Sequence, residues 1–182
     1  PHQFVVQTDK LRDSLVSRGL FEVMTYSFVS KKHLDSSALS MDSHLRIMNP
    51  LSIEQEFLRS SILMSHVQVV SNNRKYWQKQ FGFFEFSRVY IKDTRQKDSK
   101  RESWRLALTV VGEDSVIRLK NILDVLVEKY NWNTRISKIE NENYIPGRTA
   151  SIEVDGSSIG IFGQLQPSLL KEYKIPHEVS FC

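Results

Sequence analysis

The sequence predicts an α+β fold: an antiparallel β-sheet flanked by helices that fall before, between and after its strands, on one side of the sheet. Three stretches carry this reading. An alternating run from Thr149 to Val154 turns at Asp155-Gly156 and returns through Ile159, Ile161 and Phe162. Asp-Gly between two period-2 runs marks a tight antiparallel hairpin, because both residues tolerate the positive φ such turns need. Phe81, Phe83, Phe84 and Phe86 with Val89, Tyr90 and Ile91 make a strand too rich in rings to leave in water. Burying each phenylalanine is worth about 1.5–3 kcal/mol, which makes this a central element. Leu119, Ile122, Leu123, Leu126, Val127 and Tyr130 recur at helical spacing as one apolar stripe, the signature of core packing.

From the N-terminus, Thr8 or Asp9 is placed to cap a helix with Leu11, Leu15 and Val16 on one face, ending at Gly19. Leu20 to Val29 reads as a strand, with Phe21, Val23, Thr25 and Ser27 on one side and Glu22, Met24, Tyr26 and Phe28 on the other. It is apolar enough to be buried on much of both faces. Ser30 caps a short polar helix to about Ala38, and Leu45 to Met48 is a brief strand closed by Asn49-Pro50, where proline ends a central ladder. Leu51 to Ser61 mixes helical Glu54, Gln55 and Glu56 with an extended Phe57-Leu58-Arg59. Ser60-Ser61 then caps a helix that carries Ile62, Leu63, His66, Val67 and Val70 and ends near Arg74. Leu106, Leu108 and Val110 alternate with Ala107, Thr109 and Val111 in a strand ended by Gly112, so 81–112 is a hairpin. A strand at Arg135 to Ile139, the Tyr144–Tyr173 unit with Pro167 opening its helix, and a last strand at Val179 to Phe181 complete the chain. Gly160 and Gly163 forgo packing and backbone order inside a strand, which marks close approach of another backbone or a ligand.

At 182 residues, 40 % apolar and 25 % charged, the chain can bury one good core or two small ones and is not a disordered sequence. It has no internal repeat, no run near the roughly 18 apolar residues of a membrane span, and no basic-then-apolar leader. A soluble, cytoplasmic protein with no membrane partner is expected. The start at Pro1 reads as a piece of something longer or a processed product. Cys182 is the single cysteine, without an internal disulfide partner or metal-ligand spacing. A net charge of +4 is compatible with nucleic acid nearby without requiring it. The densest basic stretch sets Lys92, Arg95, Lys97, Lys100 and Arg101 against Asp93, Asp98 and Glu102, a solvated hairpin loop or a phosphate contact.

No catalytic or metal constellation is visible in the residues themselves. His2, His33, His44, His66 and His177 are scattered, with no pair at metal or triad spacing. His66 lies on an apolar helix face and reads as a hydrogen-bonded core or interface histidine. No phosphate-cradling loop accompanies Gly160 and Gly163. Glu85 and Glu153 alternate with apolar residues on strands and read as solvent-facing. Arg59, Arg88 and Arg148 each lie beside a strand or helix start, where an arginine forks a phosphate or carboxylate, or makes a structural salt bridge.

Five blocks in order carry a resemblance: Gly19 to Phe28; Asn49-Pro50-Leu51-Ser52 with Gln55 and Leu58-Arg59-Ser60-Ser61-Ile62-Leu63; Phe84-Glu85-Phe86-Ser87-Arg88-Val89-Tyr90; Pro146-Gly147-Arg148-Thr149-Ala150; and Gly160-Ile161-Phe162-Gly163-Gln164-Leu165-Gln166-Pro167. They span nearly all of the chain. The sequence resembles the β subunit of phenylalanyl-tRNA synthetase, in the module of its sixth and seventh domains that copies the class II synthetase catalytic fold. The resemblance implies one module over 1–182, with a first-motif-like part at 1–48, a second at 49–112 and a third at 140–182.

It also implies a catalytically silent copy. Class II catalysis holds ATP phosphates with arginines on the second and third motifs, and the third-motif position here reads Gly163-Gln164-Leu165-Gln166-Pro167, with proline where the arginine stands at the helix start. The strand from Phe84 to Arg88 carries rings where adenine-binding strands need polar groups. By the resemblance the module packs on the catalytic α subunit through Leu11, Leu15, Leu20, Phe21, Tyr26 and Phe28, in an α2β2 heterotetramer that contacts tRNA(Phe). ATP and Mg2+ belong to the holoenzyme, with no cofactor or metal in this module. Two other readings stand beside it: an active adenylate-forming domain in which Arg59 or Arg148 grips ATP phosphates, and an RNA-binding module using Arg74, Lys75, Tyr76, Trp77 and Lys79.

Overall fold

A computed structural model describes residues 3–35, 44–76, 80–92 and 100–182. The chain opens with helix α1 (Gln3–Val16), then two short strands, β1 (Phe21–Glu22) and β2 (Phe28–Val29), and helix α2 (Lys31–Asp35). Strand β3 (Leu45–Arg46), a 3-10 turn (Ile53–Gln55) and strand β4 (Phe57–Leu58) lead into helix α3 (Leu63–Asn73). The long hairpin β5 (Phe81–Lys92) and β6 (Lys100–Val111) precedes helix α4 (Ser115–Tyr130). Strands β7 (Thr134–Lys138), β8 (Tyr144–Val154) and β9 (Ser157–Leu165), helix α5 (Pro167–Glu172) and strand β10 (Val179–Phe181) finish it.

Seven strands form one sheet in the order β1-β5-β6-β10-β9-β8-β7, and β2-β4-β3 form a second, small one. Every pairing in the large sheet is antiparallel except β1 with β5, where Phe21 and Glu22 run parallel beside Phe83 and Phe84. The Asp155-Gly156 turn takes positive φ at both residues, 50° and 78°, as a tight hairpin of this hand requires. The 81–112 hairpin also pairs as the alternation predicts, Phe83 opposite Thr109 and Phe84 opposite Leu108.

The pleat divides the rings of β5 between two cores. Phe83 packs with Ala107, Val111, Leu165 and Val179 beneath α3 (Val67, Val70) and α5 (Leu169, Leu170). Phe84 packs on the opposite face with Leu108 and Val110 beneath α1 (Leu15) and α4 (Leu119, Leu126). The helices therefore cover both faces of the sheet, not one. The sequence offers more apolar helical surface than one face can take, since the stripes of α1, α3 and α4 each need a wall to bury against.

Three further expectations change. Helix α1 begins at Gln3, so Thr8 is not its cap but a mid-helix residue whose hydroxyl donates to Val5 O at 2.9 Å; Val16 faces water while Leu15 is buried. The predicted strand from Leu20 to Val29 is two short pairings joined by an extended bridge, because the segment crosses from the large sheet to the small one. Its second face is open, with Met24 93 %, Tyr26 81 % and Phe28 42 % exposed, and Phe21, on the first face, is 58 % exposed as well. The end of the Ser30-capped helix beyond Asp35, the tip of the basic hairpin loop, Trp77, Lys79 and His2 lie outside the described residues.

Candidate functional site

The first cluster forms where β4 hands the chain to α3. Arg59, one residue past β4, is 1 % exposed and sits against β5, so its guanidinium must find every partner inside the protein. Nε donates to Arg88 O (3.3 Å), Nη1 to Thr25 Oγ1 (2.6 Å) and Ser65 Oγ (3.4 Å), and Nη2 to Glu85 Oε1 (2.8 Å) and Ser87 Oγ (2.6 Å). An arginine has five N–H donors, and these contacts use all of them. Glu85 is as deeply buried, and its second oxygen accepts from Thr25 Oγ1 at 2.6 Å. Burial pushes the Glu85 carboxyl up, but contacts from His66, Arg59 and Thr25 outweigh it and hold the group down at about 2. Glu85 thus faces the interior, contrary to its solvent-facing reading, because β5 is covered on both sides.

His66 completes the cluster from α3. Its Nδ1 lies 2.8 Å from Thr109 Oγ1 and its Nε2 3.4 Å from Glu85 Oε2. Burial lowers its pKa below the ordinary histidine value, so the ring is neutral. With Nε2–H toward the carboxylate, Thr109 is left to donate to Nδ1. This is the core histidine the apolar helix face predicts. An ion pair this deep, with its donors saturated, is a structural lock, and the site does not fit an ATP phosphate: holding one would strip Arg59 of partners it already has.

The other predicted positions scatter. Arg88 lies on the surface, paired with Glu102 at 3.0 Å and stacked over Trp104 at 5.0 Å. Asn49 and Pro50 are exposed at a bend of the chain, and Pro167 opens α5 at its first turn. Pro146, Gly147 (φ 80°) and Arg148 form an irregularity in β8, where Arg148 donates to Gln164. Gly163 is the close approach its sequence context predicts, since a Cβ there would stand 2.6 Å from Arg148 O; at Gly160 it would meet nothing within 4 Å. Arg148 also lines an open cleft of about 910 Å³ together with Lys120, Lys138, Ile117, Phe162, Glu113 and Glu178. Among the described residues, no group of three or more His, Cys, Asp or Glu converges as a metal set. No described helix is long and apolar enough to cross a membrane. Burial pushes the Cys182 thiol up to about 12, which leaves it unreactive.

Of the predicted contact residues, Leu15 and Leu20 are core and Leu11 is half-buried, so their apolar side chains are spent inside the chain. Phe21, Tyr26 and Phe28 are exposed, joined by Met24 and by Met48 (92 %), Leu51 (95 %) and Ile53 (81 %) around the small sheet. Met24 shares the alternation of Tyr26 and Phe28, whereas Met48, Leu51 and Ile53 carry no periodic signal in the sequence; the pairing of β4 with both β2 and β3 brings the ends of the segment that holds them beside Phe28. Thr25, Ser65 and Ser87 as partners of Arg59 and Glu85, and Thr109 as the partner of His66, are equally silent.

A seven-stranded, mostly antiparallel sheet with helices on both faces is the catalytic-domain fold of class II aminoacyl-tRNA synthetases. Two structures of pyrrolysyl-tRNA synthetase from Desulfitobacterium hafniense share it, with TM-scores of 0.78 and 0.79 over 98 % of this chain and about two thirds of theirs, at 15 and 16 % identity. The chain belongs to the family described as the phenylalanyl tRNA synthetase beta chain CLM domain, whose model matches residues 2–182. It is 32 % identical to the phenylalanine–tRNA ligase beta subunit of Clostridium tetani and 30 % identical to that of Pyrococcus horikoshii, in each case over 92 % of the chain. It spans only 22 % and 30 % of the length of those relatives.

Proposed function

We propose that this chain is a non-catalytic structural module of a phenylalanine–tRNA ligase β subunit, packing on the catalytic α subunit in an α2β2 assembly. In that role it supports ATP-dependent charging of tRNA(Phe) with phenylalanine in the cytoplasm, with ATP and Mg2+ held elsewhere in the holoenzyme. The observation that carries the reading is the strip of exposed side chains at alternating positions Met24, Tyr26 and Phe28, with Phe21 exposed before them and Met48, Leu51 and Ile53 exposed in the segment between β3 and β4. Aromatic residues and methionine are the types enriched where protein interfaces bury their centres, and a run of them in water mainly invites association. The saturated Arg59 supports the non-catalytic half of the reading, since the adenylate-forming alternative needs Arg59 or Arg148 free to grip ATP phosphates and Arg59 has no donor to spare.

The test is light scattering on full-length β chain mixed with its α subunit, wild type against Met24→Asp and Tyr26→Asp. Wild type is expected to give a stoichiometric complex and the two variants separate subunits, while β alone turns over no ATP. Wild-type assembly by both variants would overturn the scaffold reading. ATP turnover by β alone, lost in Arg148→Ala, would establish the adenylate-forming one.

A further inference from the structure

The bridge between the two sheets is the one part of the 21–29 segment that lacks a strand beside it. Phe21 and Glu22 pair with β5, and Val23 N donates to Phe84 O at 2.9 Å. The ladder resumes when Ser27 O accepts from Arg59 N at 2.9 Å and Phe28 pairs with Leu58. Between them, Thr25 is gripped by side chains. Its N–H donates to Glu85 Oε1 (3.3 Å), its hydroxyl donates to Oε2 (2.6 Å), and the same hydroxyl accepts from Arg59 Nη1 (2.6 Å). Met24 and Tyr26, on either side, are 93 % and 81 % exposed and belong to the strip.

We infer that Glu85 and Arg59 are positioning residues for the contact strip, the carboxylate standing in for the absent ladder partner of residues 24–26. This rests on the reading of the strip as a subunit contact. The physical reason is register. Side chains alternate along a strand, so a slip of one residue turns Met24 and Tyr26 inward and Thr25 out. Two-residue pairings at either end are too short to fix that choice. A pair of polar atoms on Thr25, matched to both oxygens of an immobile carboxylate, does fix it. Apolar side chains of similar volume would hold the sheets together as well as the ion pair does, but they offer nothing for Thr25 to bond.

The experiment compares complete β chains: wild type, Thr25→Val, Thr25→Ser, the pair Arg59→Met with Glu85→Leu, and Tyr26→Asp. Each is measured for its dissociation constant with the α subunit and for amide exchange at residues 24–26 in free β. Thr25→Val is expected to weaken assembly roughly tenfold, the equivalent of one lost charge-assisted hydrogen bond, and to speed exchange at 24–26. Thr25→Ser, which keeps the hydroxyl, retains wild-type values, and the apolar pair behaves as Thr25→Val does. If Tyr26→Asp dissociates the subunits while Thr25→Val and the apolar pair bind as wild type, the positioning role is overturned and the contact strip stands. If Tyr26→Asp changes nothing, the contact strip falls, and the exchange rates alone decide: unchanged protection at 24–26 overturns positioning, and faster exchange supports it. Should the apolar pair fail to fold, Thr25→Val, which preserves volume, carries the test.

Discussion

Two glycines three residues apart on β9 should respond to the same substitution with opposite signs. Gly163 lies opposite Thr149 and Phe181, next to the irregularity in β8 that throws Arg148 O toward it. A Cβ at 163 would stand 2.6 Å from that oxygen and 3.0 Å from Thr149 Cα and Oγ1, so the added methyl meets mostly backbone. An ordinary carbon–oxygen contact is about 3.3 Å or longer, so β8 or β9 must shift by roughly 0.7 Å within a sheet paired on both sides. Overpacking of this kind costs about 1–3 kcal/mol. Gly160 has nothing within 4 Å of its Cβ position and no positive φ, so alanine there restricts mainly the unfolded chain and stabilises by about 0.4–1 kcal/mol. At roughly 2–4 °C per kcal/mol for a chain of this size, Gly163→Ala lowers the melting temperature by about 2–12 °C while Gly160→Ala raises it by about 1–4 °C. Thermal and urea unfolding followed by circular dichroism read both. A Gly163→Ala protein as stable as Gly160→Ala would refute the claim that the close approach at 163 is needed for the sheet to close.

Replacing Glu85 by Gln leaves Arg59 charged and buried, and urea unfolding should show a loss of about 3–5 kcal/mol. Acidification should destabilise the protein in two stages. His66 is held neutral, so below its ordinary value of 6.5 the unfolded chain takes the proton first and stability begins to fall. Glu85, held at about 2, contributes fully above its ordinary value of 4.5 and loses that contribution as the pH drops from there toward 2, a limb that a pH series of unfolding curves should find missing in Glu85→Gln. Lys174 closes α5 at φ 55°, with Ile175 N bonded to Leu170 O; Lys174→Gly should raise stability by about 1 kcal/mol in thermal unfolding. Leu119→Ala empties a position with no exposure in the α4 core and should cost about 2–5 kcal/mol by the same assay.

What could be read from the sequence was what short-range patterns encode. The Asp155-Gly156 turn, the rings of β5 and the stripe of α4 each announce themselves within a dozen residues, and each is where it was expected. The Arg59 cluster is another matter. Thr25 meets Glu85 across 60 residues and His66 meets Thr109 across 43, so no local pattern could pair them. Glu85 misleads for a definite reason: alternation with apolar neighbours signals a solvent face only when one side of the sheet is open, and α3 closes that side. The 20–29 segment misleads in the opposite sense, its apolar alternation suggesting burial on both faces when one belongs to the surface. Sequence alone does not distinguish a side chain buried by its own chain from one left for a partner.

The order of the large sheet sets a timetable for folding. β5 with β6, and β7 with β8 and β9, are neighbours in sequence and can zip as local hairpins, but among the described residues the two halves of the ladder are joined through β10. The three residues of β10, Val179 to Phe181, lie between Thr109–Val111 on one side and Gly163–Gln164 on the other, and Ser180 touches the hydroxyl of Ser115 at 2.9 Å at the head of α4. The seam therefore bridges about 70 residues of chain, a loop closure that contributes heavily to contact order and is slow. As the chain emerges from a ribosome, both half-sheets wait with open edges until these residues are free, and the nascent module is most exposed to misassociation just before its centre is made.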